Sequence, residues 1–332
     1  LSCNKLTKLL PEFYLLPEIY STPLFNQSRN EFMQISTKLF NQQTVERLSD
    51  LHGEIQNRQA RIATGKNILN ASDDPIAAAN ISVAKEQKQE LARYLENIDR
   101  AKNKLELTEG AMGQTINILT RIYELTIQAE NDVNSESDRN AIKMEITQLK
   151  ESMFDVVNTE DASGQALFAG YKVNKNAFAK DIDGNIQYMG DRGQNYLKIA
   201  ENMTLSTGID GATAFLRIPS ENDHKSIFRV IEAIEDGFDD GNFPDIVISD
   251  LQRGIEHFAL QQTYIGAQLN KANMQEEALQ NRQIIMSENL SQLEDADITK
   301  LVTELQTMLV NRDAATQAFA KIGQQSLFDF LR

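Results

Sequence analysis

The feature that most constrains the fold of this chain is a narrow apolar stripe that occurs near both of its ends. In the first stripe, Leu48, Ile55, Ile62 and Leu69 follow one another at intervals of seven residues. The second stripe contains Ile298, Leu301, Leu305, Met308, Phe319 and Ile322, and Leu327 and Leu331 extend its apolar character. A seven-residue apolar repeat among polar residues is typical of a helix that packs against a partner helix. Because such a stripe is too narrow for a monomer core, we predict that these residues form an assembly seam.

Longer helical segments lie between the two stripes. From Pro75 to about Glu130, one heptad position is occupied by Leu91, Ile98, Leu105, Met112 and Leu119, and this helix would be about 80 Å long. A third helix should lie antiparallel to it, with Ser137 or Asp138 as its N-cap. A shorter helix is predicted for residues 226–235 and another long helix for about residues 246–293. The pattern predicts a mainly α-helical, elongated antiparallel bundle or coiled coil with a small β-rich insert.

The stretch "NASDDP" places Asp73 and Asp74 directly before Pro75. Proline at the first helical position loses no hydrogen bond, because its missing N–H would have had no partner there. An aspartate just before it can cap the free N–H groups and suits the positive end of the helix dipole. A metal site or a general acid would need further ligands or a nearby base, and none is evident. We therefore predict that these three residues start a helix.

The segment from about residue 167 to 218 has a different residue pattern from the helical segments. Short apolar runs alternate there with glycine and with Asn or Asp turns, which predicts four or five short strands. The pair Asp183-Gly184 is a hairpin signal. The surrounding "DIDGN" resembles a calcium loop only superficially, because its glycine falls at the fourth position and no glutamate closes a twelve-residue loop. A turn is therefore the favoured interpretation.

Composition excludes several classes of function. The net charge is −15, and 24% of the residues are charged, which argues against a protein that binds nucleic acid or an anionic membrane. No run of 18 apolar residues predicts a membrane span. Cys3 is the only cysteine, and His52, His224 and His257 are scattered, so the spacing of a zinc site is missing. We expect no catalytic residues, no cofactor and no bound metal.

Residues 1–32 differ in character from the rest of the chain. They contain three of the six prolines and the single cysteine, and the segment begins with Leu. Prolines and glutamates interrupt any apolar region of a secretory signal. The expectation is that Met33 is the biological start and that residues 1–32 are an extension that is not native or is disordered.

Several motifs, in order along the chain, resemble the flagellin superfamily. They are the stretch that starts at Met33 and ends in "DDPIAAA", "SGQALFAGYK" at 163–172, "IQYMGDRG" at 186–193, "TYIGAQLN" at 263–270, "LEDADITKLVTEL" at 293–305 and "AFAKIGQQSLFDFL" at 318–331. The resemblance covers residues 33–332 and is strongest to the hook-associated members of the superfamily. Filament flagellin usually has Asp-Asp-Ala-Ala-Gly where this chain has "DDPIAAA", and it lacks the "GQALFAGY" step. One departure is Gln268, which stands where the family usually has arginine.

The resemblance implies a fold in which both chain ends pair, and a structural role without catalysis. This role is to form the hook–filament junction of the bacterial flagellum and to template filament assembly. The implied partners are further copies in a ring, hook-associated protein 1, flagellin and a cytoplasmic export chaperone. The implied location is extracellular, reached by the flagellar type III pathway without a cleaved signal peptide. Filament flagellin is the first alternative, and a flagellin-like surface adhesin or ligand-binding protein is the second.

The same patterns predict the domain organisation. Residues 33–72 and 294–332 would form a terminal helical coiled-coil layer. Residues 73–164 and 222–293 would form a long-helix core, and residues 165–221 a β-rich outer domain.

Overall fold

The computed structural model describes residues 28–130, 135–182, 184–221, 223–240 and 245–328. The chain divides into two compact units, which we call the terminal unit, Leu1–Leu69 with Asp295–Arg332, and the central unit, Asn70–Glu294. Of the predicted extension at residues 1–32, residues 1–27 lie outside the described residues. Asp183, in the predicted hairpin turn, also lies outside them.

Seven helices are present among the described residues. They are α1 (Ser28–Thr64), α2 (Pro75–Glu130), α3 (Glu136–Val157), α4 (Gly211–Phe215), α5 (Ile227–Asp240), α6 (Asp245–Glu294) and α7 (Ile298–Phe328). The prediction of a mainly α-helical chain with a small β-rich part is confirmed. Helix α5 runs from Ile227 to Asp240, so it continues five residues beyond Glu235, where the predicted helix ends.

Helices α2 and α6 form the antiparallel spine of the central unit. Three side-chain contacts join them: Lys85 Nζ to Glu294 Oε1 at 2.9 Å, Lys102 Nζ to Glu276 Oε2 at 2.8 Å, and Gln252 Nε2 to Tyr123 Oη at 2.6 Å. Residue numbers rise along α2 as they fall along α6, which defines the antiparallel direction. The heptad residues Leu91, Ile98, Leu105, Met112 and Leu119 are all buried. The stripe predicted from the sequence is thus the inner face of α2.

Helix α3 packs antiparallel to α2 and also contacts α5. Arg121 Nη2 on α2 lies 2.8 Å from Glu145 Oε1 on α3, and Lys150 Nζ on α3 lies 2.9 Å from Glu235 Oε2 on α5. The N-cap of α3 is Ser135, which corrects the prediction of Ser137 or Asp138. Ser135 is favoured as the N-cap because Asp138 stands at the N3 position of the helix and completes a capping box with it.

Six short strands among the described residues form three antiparallel pairs. The pairs are β1 (Phe178–Lys180) with β2 (Ile186–Tyr188), β3 (Tyr196–Ala200) with β4 (Met203–Ser206), and β5 (Ile218–Pro219) with β6 (His224–Lys225). Asn97 Nδ2 on α2 donates to Lys198 O at 2.8 Å, and Lys271 Nζ on α6 donates to Thr204 O at 3.0 Å. These two bonds hold the β3–β4 hairpin against the helical spine.

Asp191 joins the two glycine-containing motifs of the β-rich part, "SGQALFAGYK" and "IQYMGDRG". Its Oδ1 accepts hydrogen bonds from the backbone N–H of Tyr171 and of Gly193, each at 2.8 Å. These donors lower the pKa of Asp191 below its usual range. Gly170 has a φ of +69°, and a Cβ at this position would overlap the Asp191 carboxylate. The turn therefore needs glycine both for its conformation and for the close approach of Asp191.

Candidate assembly surface

The described helices of the terminal unit are α1 and α7, which pair in antiparallel directions. Arg58 Nε on α1 lies 3.0 Å from Glu304 Oε2 on α7. Gly65 follows α1 with a φ of +70°, and its carbonyl accepts a hydrogen bond from the N–H of Ala296 at 2.9 Å. The two terminal helices are thus joined by a backbone hydrogen bond at the point where α1 ends and α7 begins.

The predicted seam residues differ in how much of their surface this pairing covers. Ile55 on α1 and Leu301 on α7 are buried, with exposed fractions of 2% and 7%. Ile298 is 40% exposed. The remaining described members are half-buried: Leu48, Ile62, Leu69, Leu305, Met308 and Phe319. The side chains of Ile322 and Leu327 and the whole of Leu331 lie outside the described residues.

The α1–α7 pair also leaves other large apolar side chains in solvent. Those exposed within the described residues of this unit, besides Ile298, are Leu39, Phe40, Val45, Val302 and Val310. Two helices in contact cover only one side of each other, so side chains that flank the seam need a further neighbour for burial. The surface of the terminal unit is therefore suited to association with additional helices.

Charge is distributed very unequally between the two units. Residues 1–69 and 295–332 contain 12 Lys and Arg against 11 Asp and Glu, whereas residues 70–294 contain 21 against 37. The negative charge of the chain therefore resides in the central unit. Because the terminal unit is nearly neutral, several copies of it can approach one another without strong net repulsion.

The predicted helix start at Asp73, Asp74 and Pro75 lies at the beginning of the central unit. Helix α2 begins at Pro75, and Asp74 Oδ1 accepts hydrogen bonds from the N–H of Ile76 at 3.1 Å and of Ala77 at 2.9 Å. Asp73 Oδ2 accepts from the N–H of Asn70 at 3.1 Å. Both carboxylates thus bond to local backbone, and no cluster of three potential metal ligands occurs in the described parts of the chain.

Two features of the surface were not anticipated from the sequence. Asp297 caps α7, because its Oδ1 accepts a hydrogen bond from the N–H of Lys300 at 3.0 Å, and Gly65 ends α1 in the left-handed region. An aspartate before an apolar stripe and a glycine after one are recognised helix signals. They could therefore have predicted these two boundaries.

Three further polar side chains of the central unit, those of Asp250, His257 and Gln268, are buried or half-buried among the packed elements. Asp250 is buried on α6, and its Oδ2 lies 2.6 Å from Lys225 Nζ of β6. Burial lowers the pKa of His257, whose Nε2 lies 3.2 Å from Thr213 O. Gln268 is half-buried and makes no side-chain hydrogen bond to another described residue. No helix in the ranges that the structure describes has the length and apolar character needed to cross a membrane.

Comparison with known protein families gives two matches. Residues 35–173 match the bacterial flagellin N-terminal helical region, and residues 249–331 match the bacterial flagellin C-terminal helical region. Together the two regions span well over half of the chain.

Individual relatives differ in how much of their length aligns. The chain is 23% identical to flagellar hook-associated protein 3 of Escherichia coli K12, over 89% of this chain and 99% of that protein. It is 31% identical to a flagellin of Clostridium tyrobutyricum, over 38% of this chain and 33% of that protein. Among solved structures, the flagellar junction protein FlgL of Legionella pneumophila matches with a TM-score of 0.56 at 18% identity, over 64% of this chain and 99% of that one. The last similarity shows a shared fold.

Proposed function

Because the chain belongs to the bacterial flagellin family, we propose that it is a structural subunit of the flagellum that forms the junction between hook and filament. The extent of the alignment carries this proposal. The match spans 99% of the hook-associated relative but only 33% of the flagellin. A filament subunit would be expected to match flagellins over their length as well.

The proposed mechanism is assembly through the terminal unit. The α1–α7 pair buries Ile55 and Leu301 but leaves Val45 and Ile298 exposed. In a ring of identical copies, neighbouring pairs would cover these side chains and stabilise the junction through apolar burial. Residues 33–72 and 294–332 would form the terminal layer, residues 73–164 and 222–293 the long-helix core, and residues 165–221 an outer β-rich part.

The proposal extends to partners and to export. One side of the ring would contact hook-associated protein 1 and the other would template flagellin. A cytoplasmic chaperone would hold the apolar terminal stripes before export through the flagellar type III pathway, without a cleaved signal peptide. The exposed apolar side chains on α1 and α7 support this part, because such a surface needs cover before assembly.

A gene deletion tests the proposal directly. Electron microscopy of the null strain should show hooks without filaments, with flagellin released into the medium, and the restored gene should bring the filaments back. Filaments on the null strain would contradict the proposal.

The two alternatives predict different results. If the chain were the filament subunit, mass spectrometry of sheared filaments would find it as the main component and not at a few copies per filament. If it were an adhesin, the purified protein would bind glycan or matrix arrays, and the null strain would keep its filaments.

A further inference from the structure

The β1–β2 sheet has an open edge along β2. Among the described residues the sheet contains only these two strands. Backbone hydrogen bonds of 2.9 Å flank the paired residues, from Met189 N to Ala177 O and from Asp181 N to Asn185 O. Hydrogen-bonded and non-hydrogen-bonded positions alternate along an antiparallel pair. Gln187 therefore bonds toward β1, and the N–H and C=O groups of Ile186 and Tyr188 point to the opposite edge.

A groove runs between β2 and helix α5. Two cavities of about 450 and 400 Å³ form it, and both have Ile186, Gln187 and Arg229 in their walls. Helix α5 contributes Arg229, Ala233 and Asp236, which are spaced three and four apart and lie on one face, and Ser226 directly precedes the helix. An open strand edge opposite a helix is the geometry in which an extended peptide adds a strand to a sheet.

The two ends of this groove carry opposite charges. Arg192 lines the cavity at the Tyr188 end, whereas Glu232 and Asp236 line the other cavity. Arg192 and Asp236 are exposed, and neither forms an ion pair with another residue that the structure describes. Asp191 also lines the first cavity, but its Oδ1 already accepts two backbone hydrogen bonds.

We propose that this groove binds an extended segment of another protein, which adds a third strand to the β1–β2 sheet. Backbone hydrogen bonds to Ile186 and Tyr188 hold the segment, and its side chains supply specificity. In the antiparallel direction, an acidic residue of the segment meets Arg192 and a basic residue a few positions later meets Asp236. This site lies in the β-rich part of the central unit and is independent of the seam in the terminal unit.

The test uses the full chain and the peptide acetyl-Asp-Thr-Val-Thr-Lys-amide. Isothermal titration calorimetry should show saturable binding with a Kd below about 1 mM. Peptides N-methylated on both threonines and on the central valine block opposite edges of the added strand. One of the two should lose binding, while the other should bind within about threefold of the parent, because only one edge pairs with β2.

Variants of the protein test the same contacts from the other side. Ile186→Pro removes an N–H that points away from β1, a position at which an edge strand tolerates proline, and should weaken binding at least about tenfold. Arg192→Gln should weaken binding of the charged peptide but not of acetyl-Asn-Thr-Val-Thr-Gln-amide. Arg217→Gln is the matched control, since Arg217 is also exposed but lines neither cavity.

Two results would overturn the proposal. One is the absence of saturable binding up to about 1 mM. The other is equal binding of both N-methylated peptides to the wild-type chain, which would mean that no strand is added. The second readout holds even where Ile186→Pro disturbs the hairpin.

Discussion

A charge placed at Val45 on α1 is the most direct test of assembly through the terminal unit. Val45 is 57% exposed in the isolated chain, so a little under half of its surface is already covered. Since full burial of a valine side chain stabilises by about 1.5–3 kcal/mol, Val45→Glu should cost the isolated chain about 1 kcal/mol at most. In a ring that covers Val45, the same change would also leave a carboxylate without a partner, at a cost of several kcal/mol. Docking should then weaken more than about a hundredfold.

The assay compares the isolated protein with the assembled flagellum. Thermal melting of Val45→Glu should shift by no more than about 4 °C, whereas the variant should fail to restore filaments to a null strain. Gln43→Glu is the matched control, because it adds the same charge at an exposed polar position two residues away. A Val45→Glu strain that swims and carries filaments like the wild type would refute the assignment of this face to the ring.

Three further outcomes follow from the central unit. Gly170→Ala should lower the free energy of unfolding by about 1–2 kcal/mol for its positive φ, and by more because its Cβ would overlap both the carboxylate and the backbone carbonyl of Asp191. Gly184→Ala, with a φ of +85° and open space around it, should lose only the conformational part, and equal melting temperatures of the two variants would contradict this account. Asp74→Ala should cost about 1 kcal/mol as a lost helix cap, and elemental analysis should find the same metal content in both proteins. Burial lowers the pKa of His257, so the unfolded chain binds the proton more readily than the folded chain does. The free energy of unfolding should therefore fall as the pH drops through about 6.5. Urea titrations at several pH values should show a smaller fall in this free energy for His257→Gln than for the wild type.

The long helices could be predicted well because their signals are local and repeated. Pro75 marks the observed start of α2, and its heptad residues form the buried face of that helix. The end of α5 could not be predicted in the same way. Its acidic run resembles a loop in the sequence, but Ile234 is buried and Phe238 packs against the core, so tertiary contacts extend the helix.

The assembly surface could be predicted in position but not in degree of burial. A heptad pattern identifies the apolar face of α7 that packs against another helix. It cannot distinguish Leu301, which is buried, from Ile298, which is exposed. That difference depends on where α1 lies. The groove along β2 is a harder case, because its walls come from segments about 40 residues apart and no local pattern marks an open strand edge.

The hydrogen bond between Gly65 and Ala296 has a consequence for the order of folding. Lys66 and Asp295, which form an isolated bridge, are about 230 residues apart in the chain. Closing a flexible loop of that length costs about 3 kcal/mol more than closing one of about ten residues. In the folded central unit, the start of α2 and the end of α6 already lie side by side, as the Lys85–Glu294 contact shows. The terminal helices should therefore pair quickly only after the central unit has folded. The middle of the chain thus folds first and brings the two terminal segments together.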